Sequence, residues 1–251
     1  MRSIWCGLIF IVCLAVLPAQ TEDPLPGSMP AETPSDETAA VPPPPQALTR
    51  YFAAGGSIFL FIDDQSIHSE PTPLFSAFYF TVAFPFYRLN RIAFYANISL
   101  DMYLAHYLWS EDRARPLPAS VDNRDARIFG FPFSLTFEVR SNLNKRFSIH
   151  FNTGLSMDLR GVMLAEDLNP AIEPIDEIKA NKEKISDYFW NDLRWLFFEF
   201  SGGFVIQLVE DFSLDINTRM FLPVGTVPGQ DDDPSLMNWR FAFGLRVVKY
   251  F

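Results

Sequence analysis

The sequence predicts an all-β chain: eight antiparallel strands, joined up and down, closed into a barrel that crosses a membrane. Three observations carry this. Eight segments alternate apolar and polar side chains, their connections alternate between tight and long, and their apolar bulk exceeds what a small barrel can hold inside.

The first residues stand apart. Arg2 precedes an apolar run from Ile4 to Leu17 that ends at Pro18 and Ala19, the layout of a cleaved secretory leader over 1–19. The run is shorter than the about 20 apolar residues that a spanning helix needs. Both cysteines, Cys6 and Cys13, fall inside it, so the mature chain is expected to hold no disulfide, thiolate ligand or cysteine nucleophile. Residues 20–49, "QTEDPLPGSMPAETPSDETAAVPPPPQALT", are rich in proline, acid and small polar groups. Such a stretch buries too little surface to offset its ordering entropy and reads as a disordered or polyproline spacer. Without Arg2 the chain keeps 19 basic against 30 acidic side chains, which argues against a nucleic-acid partner.

From Tyr51 onward the alternation begins, in segments 51–62, 74–87, 92–107, 128–140, 147–160, 192–208, 212–222 and 239–251. In "IFGFPFSLTFEV" (128–139), Phe129, Phe131, Phe133, Leu135, Phe137 and Val139 share one face of an extended chain. The other face holds Gly130, Pro132, Ser134, Thr136 and Glu138. The connections "RLNR" (88–91), "SNLNKR" (141–146) and "VED" (209–211) are tight; those at 63–73, 108–127, 161–191 and 223–238 are long and polar. Strict alternation puts all tight turns at one rim and all long loops at the other.

Volume decides which face looks inward. An eight-stranded barrel is just wide enough for side chains to fill it. Five or six Phe, Leu or Ile from every strand would overfill that space, so the small and polar face must be the inner one. A soluble barrel with the faces reversed would need a charged exterior, whereas this polar face is mostly Gly, Ser, Thr and Asn. A wide apolar exterior is tolerated only in lipid. The end of the chain, "WRFAFGLRVVKYF", repeats the pattern, with Phe241, Phe243, Leu245 and Val247 on one face and Phe251 last.

Taken together, these features resemble the small eight-stranded bacterial outer-membrane barrels of the OmpA-barrel, OmpX and OmpW kind, over residues 50–251. The resemblance rests on pattern, with no diagnostic motif. It implies residence in the outer membrane of a diderm bacterium, with the 20–49 spacer in the periplasm and with outer-membrane lipid and the barrel-assembly machinery as partners. Phe243, Leu245, Val247 and Phe251 would then form the C-terminal assembly signal.

Parity supplies the expected lumen. Near the tight-turn rim it gathers Asn97, Glu138, His150, Asn152, Asp215 and Arg246, with Glu199 at mid-depth and Arg219 on the same inner face. Glu138 and His150 are expected nearly opposite each other across the turn at 141–146. Charges inside a narrow barrel must pair or hydrate, so Glu138, His150, Glu199, Asp215, Arg219 and Arg246 form an expected plug. Toward the long loops Phe59, Phe61, Phe75, Tyr79, Tyr103, Tyr107, Trp195, Phe197 and Phe221 form an expected aromatic cup, similar to the apolar cavity of OmpW-like barrels. Pro85 and Pro132 each remove a ladder hydrogen bond and mark positions where a bulge could shift the parity.

In the longest loop, Ile175, Ile178, Ile185 and Phe189 fit one helix face, expected to be solvated. "QDDDP" (230–234) lacks the spaced oxygens of a calcium loop. The "NIS" sequon at Asn97 points inward and is assigned no glycan. No nucleophile–base pair, metal-ligand spacing or phosphate loop is evident among so few histidines, so no catalytic, cofactor or metal residues are assigned. Two functions are open. One is a narrow channel or binding barrel for small apolar solutes. The other is a closed structural or adhesin-type barrel that presents its loops to host or other extracellular molecules.

Overall fold

The computed structural model describes residues 49–62, 74–110, 113–117, 124–164, 175–226 and 239–251. The expected leader, the spacer up to residue 48 and the acidic run at 230–234 lie outside the described residues.

The described residues form nine strands and one α-helix: β1 (Tyr51–Ile62), β2 (Leu74–Leu89), β3 (Ile92–Ser110), β4 (Arg113–Leu117), β5 (Ala126–Asn142), β6 (Phe147–Leu164), α1 (Ile175–Trp190), β7 (Leu196–Val209), β8 (Phe212–Pro223) and β9 (Trp239–Tyr250). Eight of the strands form the ring β1-β2-β3-β5-β6-β7-β8-β9, which closes where β9 pairs with β1, and every pairing is antiparallel. Closure removes the free edges that an open sheet would expose.

The ninth strand was not anticipated. Residues 108–127 read as a long loop, but β3 continues to Ser110 and β4 folds back on it, with His106 opposite Leu117. β4 occupies the edge of β3 from His106 onward, past the point where the β2–β3 ladder stops at Ala77–Tyr103. At its 19 residues β3 is about 60 Å long, roughly twice the hydrocarbon thickness of a bilayer, so its upper part stands clear of lipid.

The tight connections fall at Asn90–Arg91, 143–146 and Glu210–Asp211, all at one rim. Asn90 takes φ 50°, the left-handed conformation that asparagine tolerates in short turns. At Pro85 the register shifts before Tyr87, so Phe86 and Tyr87 both point outward. Pro132 shifts no register: Leu100–Phe133 and Tyr103–Gly130 are in line, with only the pairs between them missing from the β3–β5 ladder.

The outer surface is apolar. Phe78 is 66% exposed, Phe204 62%, Phe243 55% and Leu135 53%. The small and polar face is buried, with Ser57, Thr81, Ser99, Ser134, Ser156, Ser201 and Asn217 inside. Only lipid makes this inversion stable in water's place, since backbone groups are paired around the ring and the apolar belt needs hydrocarbon. Gly130 shows how tightly the inner face is fitted. A Cβ there would lie 2.0 Å from Cζ of Tyr103, so only glycine lets that ring lie across β5.

Candidate functional site: the barrel interior and its capped mouth

Five carboxylates, Asp101, Glu138, Asp158, Glu199 and Asp215, are buried in the barrel wall with five guanidiniums, Arg140, Arg160, Arg219, Arg240 and Arg246. Each is placed by strand parity, and all but Glu199 lie in ion pairs among the described residues. The pairs stack in layers from the tight-turn rim upward.

In the lowest layer Glu138 accepts from Tyr51 Oη at 2.5 Å, from Asn97 Nδ2 at 2.7 Å and from Arg140 Nε at 2.7 Å. Arg140 reaches across the ring to donate to Tyr250 Oη at 2.7 Å, and its guanidinium lies 4.5 Å from the Tyr51 ring centre. One layer up, Asp215 accepts from Arg246 Nε at 2.6 Å and lies 3.0 Å from His150 Nε2. Arg246 Nη1 also donates to Tyr79 Oη and Thr81 Oγ1 on β2.

The middle layer spans the lumen. Arg219 on β8 donates twice to Asp101 on β3, at 2.7 and 2.6 Å. β8 and β3 lie four strands apart in a ring of eight, which is diametrically opposite. Its guanidinium is 3.7 Å from the centre of the Tyr79 ring and about equally far from Phe59 (5.5 Å) and Phe221 (5.4 Å). Two-pronged charged hydrogen bonds of this kind fix geometry as well as adding energy. Nearby, Glu199 sits beside Ser134, and its Oε2 has no partner among the described residues. In the uppermost charged layer Asp158 Oδ2 accepts from Tyr103 Oη at 2.8 Å, Arg160 Nε at 2.7 Å and Arg240 Nη1. Arg240 in turn packs between Phe61 and Phe197.

Above this floor the aromatic residues are filled in. Phe59, Phe61, Phe75, Tyr103, Tyr107, Phe197 and Phe221 form one buried cluster that includes Ile185 and Phe189 of α1. α1 is therefore no solvated loop helix. Ile178, Ile185 and Phe189 are buried, and only Ile175 of the expected face stays exposed. Phe189 stacks edge-on against Tyr107 at 4.9 Å and lies 4.1 Å from the Arg160 guanidinium, so the helix covers the β3–β6 side of the mouth.

Below α1, Asp125 Oδ2 accepts from the Trp109 backbone N–H at 2.8 Å. Burial raises the pKa of that carboxyl, the hydrogen bond works against the rise, and Glu177 adds to it. On the outer side of α1 a shallow depression of about 270 Å³ is lined by Trp109, Lys184, Asp187, Tyr188, Asn191 and Arg194. Among the described residues no three His, Cys, Asp or Glu side chains gather as a metal site.

Three expectations differ from the geometry. Trp195 is half-buried in the turn before β7, outside the aromatic cluster, and its carbonyl accepts from Asp158 N. Tyr79 lies deeper than the cup, between Arg219 and Arg246. Glu138 faces Asn152, not His150; His150 stands opposite Arg140 and bonds Asp215. Plug and cup are accordingly not separate layers, because Arg219 and Arg240 sit among the rings. The sequence reading did not single out Asp101, Arg140, Asp158, Arg160 or Arg240. All five have inward parity on their strands, and that is the signal that marks them.

No protein-family model and no curated protein matches the sequence. Among solved structures, Neisserial surface protein A (NspA) is similar at 10% identity, with 80% of this chain and 97% of that one covered and a TM-score of 0.44. Ail, the attachment invasion locus protein of Yersinia pestis, is similar at 8% identity, 80% and 97% coverage and a TM-score of 0.41. The outer membrane enzyme PagL is similar at 10% identity, 80% and 98% coverage and a TM-score of 0.38. Eight antiparallel strands in a closed ring with an apolar exterior give the chain the architecture of a small transmembrane β-barrel.

Proposed function

We propose that this chain resides in the outer membrane of a diderm bacterium as a closed barrel. Its N-terminal spacer lies in the periplasm, and its activity is interaction at the long-loop face, where α1, β4 and the loops meet an extracellular partner. The observation that carries the reading is the Arg219–Asp101 bridge across the full width of the lumen. Arg140–Tyr250 spans the lumen a second time below it, and Arg240–Asp158 obstructs it above. A solute following the lumen would have to break several buried charged contacts, each costly once a partner is left alone.

The channel or apolar-solute reading has less support. The space it needs is occupied by Ile185 and Phe189, so a solute could enter only after α1 had left the mouth. The surface depression beside Trp109 and Tyr188, with Lys184, Arg194 and Asp187 around it, suits a polar extracellular ligand better than an apolar one. No enzymatic role is proposed. Phe243, Leu245, Val247 and Phe251 present their side chains outward at the closing strand, in keeping with recognition by the assembly machinery before insertion.

Permeation is the test. Liposomes containing the refolded chain should swell in small sugars no faster than empty liposomes, and Phe189→Ala should leave them unchanged. Rapid swelling by the parent chain would refute the closed reading and return the channel to favour.

A further inference from the structure

The tight-turn rim is uneven in charge. The chain as a whole has a net charge of −10, yet residues 85–100 and 139–157 contain no Asp or Glu. These stretches build the β2–β3 and β5–β6 turns, which are neighbours because β3 pairs with β5. Ile92 stands opposite Ser141, and Asn142 N donates to Arg91 O at 2.9 Å, joining one turn to the other. Arg91, Lys145 and Arg146 are exposed there, and none of their side chains makes an ion pair with a described residue. Arg88 folds back on its own turn, with Nε donating to Asn90 O. The third turn, Glu210–Asp211, is acidic and adjoins the other side of the β5–β6 turn, where Gln207 N donates to Arg146 O at 2.8 Å.

Next to these cations, on the lipid side, lies a cluster of rings. The bulge after Pro85 turns Phe86 and Tyr87 outward together, 55% and 53% exposed. Phe86 lies 5.5 Å from Phe137, Phe94 5.9 Å from Phe137, and Tyr87 5.6 Å from Phe94, between ring centres. A ring platform on the hydrocarbon side of a cation cluster matches an amphiphile with an anionic head. Arginine and lysine pair well with phosphate, and aromatic side chains favour the boundary between headgroup and chain.

Resting on the membrane reading above, we infer that this corner of the rim binds an anionic glycerophospholipid of the inner leaflet. Arg91, Lys145 and Arg146 take the phosphate, and the Phe86, Tyr87, Phe94 and Phe137 rings take the first segments of the acyl chains. The acidic third turn bounds the site on one side, while Arg50 and Lys249 lie farther along the rim, without this ring platform beside them.

Native mass spectrometry of the full chain refolded in detergent tests this, with phosphatidylglycerol and phosphatidylcholine offered at equal concentration. Retention of phosphatidylglycerol should exceed that of phosphatidylcholine by about tenfold, the scale expected for a few surface cations. Arg91→Gln/Lys145→Gln/Arg146→Gln should bring the ratio near one, whereas Glu210→Gln/Asp211→Asn should keep it. The parent's preference should also fade in about 0.5 M salt, a readout that does not depend on the variant refolding. Equal retention by the refolded parent, or a preference untouched by the triple substitution or by salt, overturns the lipid site. Such a result leaves the barrel itself standing, since refolding in detergent is scored separately by heat-modifiable gel mobility.

Discussion

Asp101→Leu is the perturbation that the interior makes most informative. It removes both carboxylate oxygens that accept from Arg219, whose fully buried side chain otherwise keeps Ser57 Oγ, three aromatic rings and the more distant Glu199 carboxylate. A buried charge stripped of its partner costs about 3–5 kcal/mol. The contact with Tyr79 at 3.7 Å returns no more than about 2 kcal/mol of that, and it is present in the parent as well. Urea unfolding in phosphatidylcholine vesicles, followed by tryptophan fluorescence, reads the loss. The double variant Asp101→Leu/Arg219→Met removes both charges and keeps the volume, so it should regain most of the stability and lie within about 2 kcal/mol of the parent. A single substitution costing under about 1 kcal/mol would mean that Arg219 finds water in an open lumen, and the reasoning would fail. So would a double variant as unstable as the single one.

Other consequences are simpler to state. Gly130→Ala drives a methyl group into the Tyr103 ring and should destabilise the barrel by about 1–3 kcal/mol; Gly130→Ala/Tyr103→Leu should relieve much of it, as unfolding midpoints would show. Ile185→Ala leaves a hole beneath α1 and should cost the cap, not the barrel, about 2–4 kcal/mol. Hydrogen exchange should then accelerate across 175–190 while β6 and β7 stay protected, and uniform acceleration would contradict the placement of α1 as a separately packed cap.

Strand parity made the fold legible because a half-buried strand writes its two faces into alternate residues; on β5 and β6 the phenylalanines mark the lipid side, whereas Phe59, Phe61, Phe75, Phe197 and Phe221 fill the lumen. It also placed the charged residues on the inner face. It could not pair them. Glu138 was expected near His150, but β5 runs to Asn142 before the turn and puts Glu138 opposite Asn152. A slip of two residues keeps every side chain on its face, so the pattern carries no trace of it. Contacts across the lumen, such as Arg219 with Asp101, depend on the summed stagger of several strands and are further still from the sequence.

The helical period in 175–190 was legible, and so was its apolar face. What that face covers was not, because the connecting loops leave its orientation free and Phe189 finds Tyr107 and Arg160 only in three dimensions. β4 escaped notice for a different reason: "RARPL" lacks alternation and pairs only because β3 overshoots β2.

The account turns on a solid, ion-paired interior inside a lipid-facing shell, and thiol accessibility tests both halves. With Cys6 and Cys13 replaced by serine, Ser134→Cys and Ser156→Cys place small thiols at positions that are fully buried in the lumen. In the refolded chain in vesicles, a charged thiosulfonate reagent should leave both unmodified until denaturant is added, while Ser→Cys at a solvent-facing turn reacts at once. Prompt modification of Ser134→Cys from the aqueous phase would show a watered lumen and contradict the closed barrel.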